Sequence, residues 1–173
     1  MEIYLAPVGF SNTSLLEKVL NELTDSYIFT VKKISLDLNI QSAFSTERKQ
    51  YFSSGIIAEA IPLTSDLNGK VLVLTEYDLY IPVLTFVFGE AQLNGKHSVV
   101  SVCRLHEEFY SGLSDDELLF KRTIKEILHE LGHNFGLRHC DNWDCVMHSS
   151  PGIEEVDIKG STYCSNCVIA VNK

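Results

Sequence analysis

The chain has 173 residues, 45% of them apolar, and a formal net charge of −9 from 14 Lys plus Arg against 23 Asp plus Glu. That length suits one domain burying about two thirds of its unfolded surface, so a shaped cleft needs neither disulfides nor a partner subunit, and a monomer is expected. The acidic balance argues against a phosphate-tracking surface and so against nucleic acid, and no run approaches the roughly 20 apolar residues of a membrane span.

The opening residues, Met1 to Pro7, show no basic leader followed by an apolar run, so a cytoplasmic protein without a propeptide is expected. An apolar strand is predicted near residues 2 to 8, followed by a helix opened by Ser14 with Glu17 in a capping box and carrying the stripe Leu15, Leu16, Val19, Leu20 and Leu23. Tyr27 to Val31 reads as a second strand, a helix is expected from Ser45 or Thr46, and Val71 to Leu74 is a short buried strand after the Asn68-Gly69 turn. Pro82 introduces a further strand, Val83 to Phe88, suited to a sheet edge because proline has no amide donor. The Asn94-Gly95 turn then leads into a strand at Ser98 to Val102, which makes a hairpin and one antiparallel edge. Ser114 with Glu117 marks the start of a helix over about 114–136, with Phe120, Ile124, Ile127, Leu128, Leu131 and Phe135 at spacings of three and four. The alternation implies an α/β (α+β) fold in a single domain, residues 1–173, with a twisted mixed sheet of about five strands and three main helices. Residues 1–136 form the sheet and helix part, and 137–173 a small C-terminal portion.

The last helix carries His129-Glu130-Leu131-Gly132-His133, continuing to His139. Imidazoles four residues apart lie on one helical face about 6 Å apart in rise, so their nitrogens can converge on one zinc at roughly 2.1 Å. A helix continued past Gly136 would carry His139 about 240° around the axis from His133, off the ligand face. Gly136, which tolerates a left-handed backbone, is therefore expected to end the helix and let His139 return as third ligand. Three neutral imidazoles leave zinc an open fourth position for water, whose proton Glu130 is placed to accept. Five cysteines complete the inventory: Cys103 alone, Cys140 and Cys145, and Cys164 and Cys167. The clustered four suggest metal ligation in a reducing compartment more than a disulfide framework.

The motif from His129 to His139 resembles that of the metzincin metallopeptidases, and the succession Cys140, Cys145, Met147, Cys164 and Cys167 narrows the resemblance to the archaemetzincin family. Asp78-Leu79-Tyr80 and Phe86-Val87-Phe88-Gly89 are similar to that family as well. The resemblance implies a metzincin-like fold and zinc-dependent peptidase or aminopeptidase activity on short peptides. It also implies two zinc ions per chain, the second a structural one held by Cys140, Cys145, Cys164 and Cys167, and a turn in which Met147 lies beneath the catalytic zinc without ligating it. Sixteen residues separate Met147 from Cys164, where the family pattern has about one more, a loop change that leaves the ligands in place.

Some metzincins carry an assisting tyrosine two residues after the methionine. Ser149 stands there, which leaves that work to zinc, His148 or Tyr163. Residues Cys140 to Val146 are expected to help form the pocket for the substrate residue after the scissile bond. Pro82 to Gly89 is the candidate edge for a peptide bound as an added strand, with an ordinary core strand as the alternative, and Asp78 and Tyr80 are candidate cleft residues. Cys103 reads as a buried, inert thiol, and His97 and His106 as turn and surface residues without a role. A redox pair or disulfides remain alternatives for the cysteines, and a zinc-stabilised peptide-binding or regulatory protein with little turnover remains the alternative for the whole chain. Glu130 argues against the latter, since a pure binder needs no base beside its metal.

Overall fold

The structure is a computed structural model that describes residues 1–25 and 29–171. In chain order it comprises β1 (Glu2–Pro7), α1 (Thr13–Asp25), β2 (Thr30–Lys33), β3 (Phe44–Ser45), β4 (Gln50–Phe52), α2 (Ser53–Leu63) and β5 (Lys70–Thr75). The second half holds β6 (Leu79–Tyr80), β7 (Gly89–Ala91), β8 (His97–Ser101), α3 (Glu108–Ser111), α4 (Asp116–Asn134), α5 (Ile153–Ile158) and α6 (Ser165–Val171). Five strands form one sheet in the order β2-β1-β5-β8-β7, parallel except for β7, which runs antiparallel to β8 at the edge. Helices cover both faces, which is why successive residues of the central strands are buried and burial does not alternate along them. Ile3, Leu5, Leu72 and Leu74 face α1 and α4, whereas Val73 and Val99 face Ile56, Ile57 and Ala60 of α2. This is the expected mixed sheet with three main helices and an antiparallel edge.

Local departures from the sequence reading have identifiable causes. Helix α1 is capped by Asn12, whose Oδ1 accepts from the Leu15 N–H at 3.0 Å, because the Glu76 carboxylate already takes the N–H groups of Ser11 and Asn12. In α4 the cap is Asp115, one residue beyond Ser114, accepting from the Leu118 N–H at 2.9 Å. The second strand is shifted to Thr30–Lys33, and Tyr27 and Ile28 lie outside the described residues.

No helix starts at Ser45 or Thr46. Ser45 does cap a turn, accepting from Arg48, but Lys49 takes a left-handed backbone (φ 56°) and the chain returns as the β3–β4 hairpin, with Phe44 and Tyr51 in ring contact at 5.0 Å. The expected strand at Val83 to Phe88 is also absent: Val83 is 83% exposed, and only Val87 makes an isolated bridge, to Leu79. The Arg48 guanidinium takes the carbonyls of Leu84 and Pro82, and the Gln50 amide takes that of Thr85, so side chains occupy acceptors that a strand ladder would use. The antiparallel edge falls instead at Gly89–Ala91, joined to β8 through Asn94-Gly95.

That hairpin grips the end of α4. Its Asn94 N–H donates to His133 O at 2.8 Å, and the Asn134 amide donates back to Gln92 O and His97 O. From β5, Lys70 Nζ donates to Asn134 O and Gly95 O, both at 2.8 Å, placing a cation at the negative end of the helix dipole. Lys70→Met is therefore expected to destabilise the fold by about 1 to 3 kcal/mol, measured by urea unfolding, because it orphans two carbonyls; an unchanged midpoint would contradict this clamp.

Candidate active site

Helix α4 stops where glycine allows it to. Gly136 has φ 90°, its N–H donates to His133 O at 2.9 Å, and the Leu137 N–H donates to Gly132 O at 2.9 Å. These two bonds satisfy terminal carbonyls and reverse the chain. His139 returns over the helix, with ring centroids 5.3 Å from His129 and 5.1 Å from His133, and one ligand atom from each of the three rings lies within 4.8 Å of the others.

Proton placement on two of the rings follows from what stands behind them. His129 Nδ1 is 2.9 Å from Val146 O, and His133 Nδ1 is 2.8 Å from Leu137 O. A carbonyl only accepts, so each Nδ1 carries the proton and each Nε2 presents a bare lone pair. Those two Nε2 atoms face each other at 3.1 Å. With no proton between them the contact is repulsive unless a cation bridges it, and ligands of a tetrahedral ion with bonds of about 2.1 Å stand about 3.4 Å apart. Burial, followed by the nearby positive charge of Lys159, holds His129 well below the usual imidazole range and so favours its neutral form. The donor set fits zinc.

Glu130, 5% exposed, lies one residue from His129 and lines the same cleft. Burial first, and then the charge of Glu126, push its carboxyl well above the ordinary range; Lys159 opposes this and Glu90 adds to it. Space for its side chain depends on Gly89 in β7. A Cβ there would come 2.7 Å from Glu130 Cγ and 2.8 Å from both Glu130 Oε1 and Val99 O. The cleft has a volume of about 510 Å³. Leu84, Phe86, Phe88 and Glu90 form one wall, and Ser149, Ser150 and Pro151 the other. Glu90 is fixed by the hydroxyls of Ser53 and Ser54.

Met147 is fully buried beneath α4, where Gly132 makes room for it: a Cβ on Gly132 would lie 2.2 Å from Met147 Sδ. Below that turn, the sulfurs of Cys140, Cys145, Cys164 and Cys167 gather within 4.8 Å of one another. Cys140 Sγ and Cys164 Sγ are 3.9 Å apart, far from a disulfide bond of about 2.05 Å and close to the roughly 3.8 Å expected of sulfurs around a tetrahedral zinc. The Cys164 thiol is drawn down to about 7, chiefly by the Cys167 backbone N–H, while burial pushes Cys167 up.

Other candidates from the sequence lie elsewhere. Asp78 is clamped by Arg104 at 2.7 and 2.8 Å and by Gln50, and Tyr80 lies under the Arg48 guanidinium; both hold the fold together and neither lines the cleft. His148 stacks on Trp143 at 3.8 Å and Tyr163 donates to Leu128 O at 2.6 Å, and neither is among the residues that line the cleft. Residues Cys140 to Val146 do not line the cleft; Ser149 to Pro151 do. His97 is a buried strand residue bonded to Thr64, rather than a turn residue, His106 lies outside the cleft, and burial pushes the Cys103 thiol up toward inertness. Glu90, Glu126 and Lys159 were not singled out by sequence reasoning, and Gly89 was named only as the end of the candidate edge and of a segment similar to the family. Glu126, at i−3 from His129, shares its helical face and was open to discovery by register; the others gave no local signal.

Residues 39–173 match peptidase family M54. The archaemetzincin of Thermococcus kodakarensis is 37% identical, with 95% of this chain and 92% of that protein covered, and that of Methanocaldococcus jannaschii is 38% identical, with 97% and 91% covered. Among solved structures, the archaemetzincin of Archaeoglobus fulgidus, complexed with malonate, superposes with a TM-score of 0.82 at 33% identity over 98% of this chain and 99% of its own. A zinc-dependent peptidase of Methanocorpusculum labreanum superposes with a TM-score of 0.85 at 30% identity, over 98% and 100% of the two chains. With this agreement along nearly its whole length, the chain belongs to the archaemetzincins, peptidase family M54, and is a zinc-dependent metallopeptidase.

Proposed function

We propose that His129, His133 and His139 hold the catalytic zinc, that Cys140, Cys145, Cys164 and Cys167 hold a second, structural zinc, and that Glu130 is the general base of peptide-bond hydrolysis. The observation that carries this reading is the meeting, in one cleft, of two bare imidazole nitrogens at 3.1 Å with a third ring and a buried carboxylate. Zinc held by the three histidines would supply charge to polarise the scissile carbonyl and to acidify the attacking water. Glu130 accepts the water proton and returns it to the leaving amine, a task its burial suits because it raises the proton affinity of the carboxylate. Gly89 keeps that carboxylate in place by leaving it room.

The peptide substrate lies along β7, which ends the sheet and lines the cleft, and adds to it as a further strand. Only three residues of regular edge are available, Gly89–Ala91, and the rim before them is irregular, which suits short peptides better than long extended ones. Glu90 and Glu130 line the cleft together with Glu126, whose charge is met by Lys159 behind it, and among the described lining residues there is no Lys or Arg. That balance favours a substrate presenting a free α-amine, the aminopeptidase form of the activity.

The purified protein is expected to contain two zinc ions per chain. Glu130→Ala should retain both and lose at least about a hundredfold in kcat on a peptide library, whereas equal cleavage by the two proteins would sink the mechanism. Gly89→Ala, whose new methyl group must displace Glu130, should lower kcat at least about tenfold without loss of zinc; unaltered kcat would mean that the contact is dispensable. Cys164→Ser should carry one zinc and turn over more slowly, because Cys145 of the sulfur cluster adjoins Val146, the residue that fixes His129. Normal turnover in that variant would count against the coupling.

A further inference from the structure

An ion pair is buried behind the His129 ring. Lys159 is 2% exposed, and its Nζ lies 2.7 Å from Glu126 Oε1 and 3.4 Å from His129 Nδ1; Glu126 is 3% exposed. Taking both charges out of water is costly, and well-packed apolar side chains of similar volume commonly serve stability as well or better. Nor is the pair needed to dock α5 on α4. Arg122 donates to both Asp157 oxygens at 2.7 and 2.6 Å, and Lys125 Nζ donates to Val156 O and Asp157 O at 2.9 and 2.8 Å. The pair is instead set where α4, the segment after α5 and the first metal-binding histidine meet.

Two groups reach His129 Nδ1, and they make opposite demands. Val146 O calls for a proton on Nδ1, which leaves Nε2 bare for a metal. The Lys159 ammonium only donates, so if it were free its nearest acceptor would be Nδ1 itself, which would move the ring proton to Nε2 and block the ligand position. Glu126 prevents this by taking the ammonium. Lys159 in turn fixes Glu126 at 2.7 Å.

We propose that Glu126 and Lys159 form a positioning pair for the metal centre, holding His129 in the tautomer and orientation that expose Nε2 to zinc. The inference rests on the proposed zinc role of His129. Partners behind metal-binding histidines commonly matter at the level of about 10 to 100-fold in metal affinity or activity, so the effect is measurable.

The test uses the zinc-loaded full chain and measures melting temperature, zinc affinity by chelator competition, and kcat separately from KM. Glu126→Leu/Lys159→Met, which removes both charges, should melt within a few degrees of the parent yet hold the catalytic zinc about tenfold more weakly and lose about tenfold in kcat, with KM little changed. Glu126→Leu alone, which frees the ammonium toward Nδ1, should lose more than the double variant. Glu126→Gln keeps an acceptor for Lys159 and should stay within about threefold of the parent in zinc affinity. A double variant matching the parent in zinc affinity and kcat overturns the proposal. Should the double variant fail to fold, Glu126→Gln decides: loss as large as that of Glu126→Leu overturns the proposal, and retention supports it. A parent protein that takes up zinc only at the cysteines overturns the reading of the histidine site and this inference with it.

Discussion

Two backbone carbonyls set the chemistry of this fold. Val146 O and Leu137 O stand behind His129 and His133 at 2.9 and 2.8 Å and, because a carbonyl only accepts, they fix the ring protons on Nδ1 and turn two lone pairs toward each other. The rest of the structure holds both carbonyls in place. Leu137 O is positioned by the glycine-terminated end of α4, and Val146 O by the turn that also contains Met147 and Cys145. The proposed metal centre is therefore a property of the helix terminus and the following segment together, and neither alone would preorganise it.

The same logic explains why the C-terminal portion is so heavily tied to α4. The Cys140 N–H donates to Met147 O, the Val146 N–H to Thr162 O and the Gly160 N–H to Trp143 O, so the backbone around the sulfur cluster is laced to itself before it meets the helix. Arg122, Lys125 and Glu126, on one helical face, then fasten residues 156–159. On the opposite side Lys70 and the β7–β8 hairpin hold the carbonyl end of α4. The active-site helix is thus clamped at its C-terminus, along one face and from beneath, which leaves the cleft side free for chemistry.

Much of this was legible in the sequence wherever the information is local. The helical spacing of His129 and His133, the glycine at 136 that returns His139, and the clustered cysteines each encode geometry through short-range rules, and the structure brings each group together. The sheet and its antiparallel edge followed from apolar runs and the Asn94-Gly95 turn. Errors arose where distant side chains decide the backbone. Glu76 supplied a carboxylate that shifted the start of α1, and Arg48 and Gln50 took the carbonyls that would have made 83–88 a strand. Ser45 looked like a helix cap because it is a cap, of a single turn that Lys49 ends. Gly89 and Lys159 were illegible for the same reason: their meaning lies in Glu130 and Glu126, which only the tertiary fold brings near.

The central claim is that the folded chain itself aims the Nε2 atoms of His129 and His133 at one cation beside Glu130. Anomalous diffraction at the zinc edge from crystals of the native protein tests it most directly. The account requires one peak bonded to Nε2 of both rings and to His139, within reach of Glu130, and another among the four sulfurs. Zinc bound through Nδ1 of either helical histidine, or no anomalous density between those rings, would contradict it.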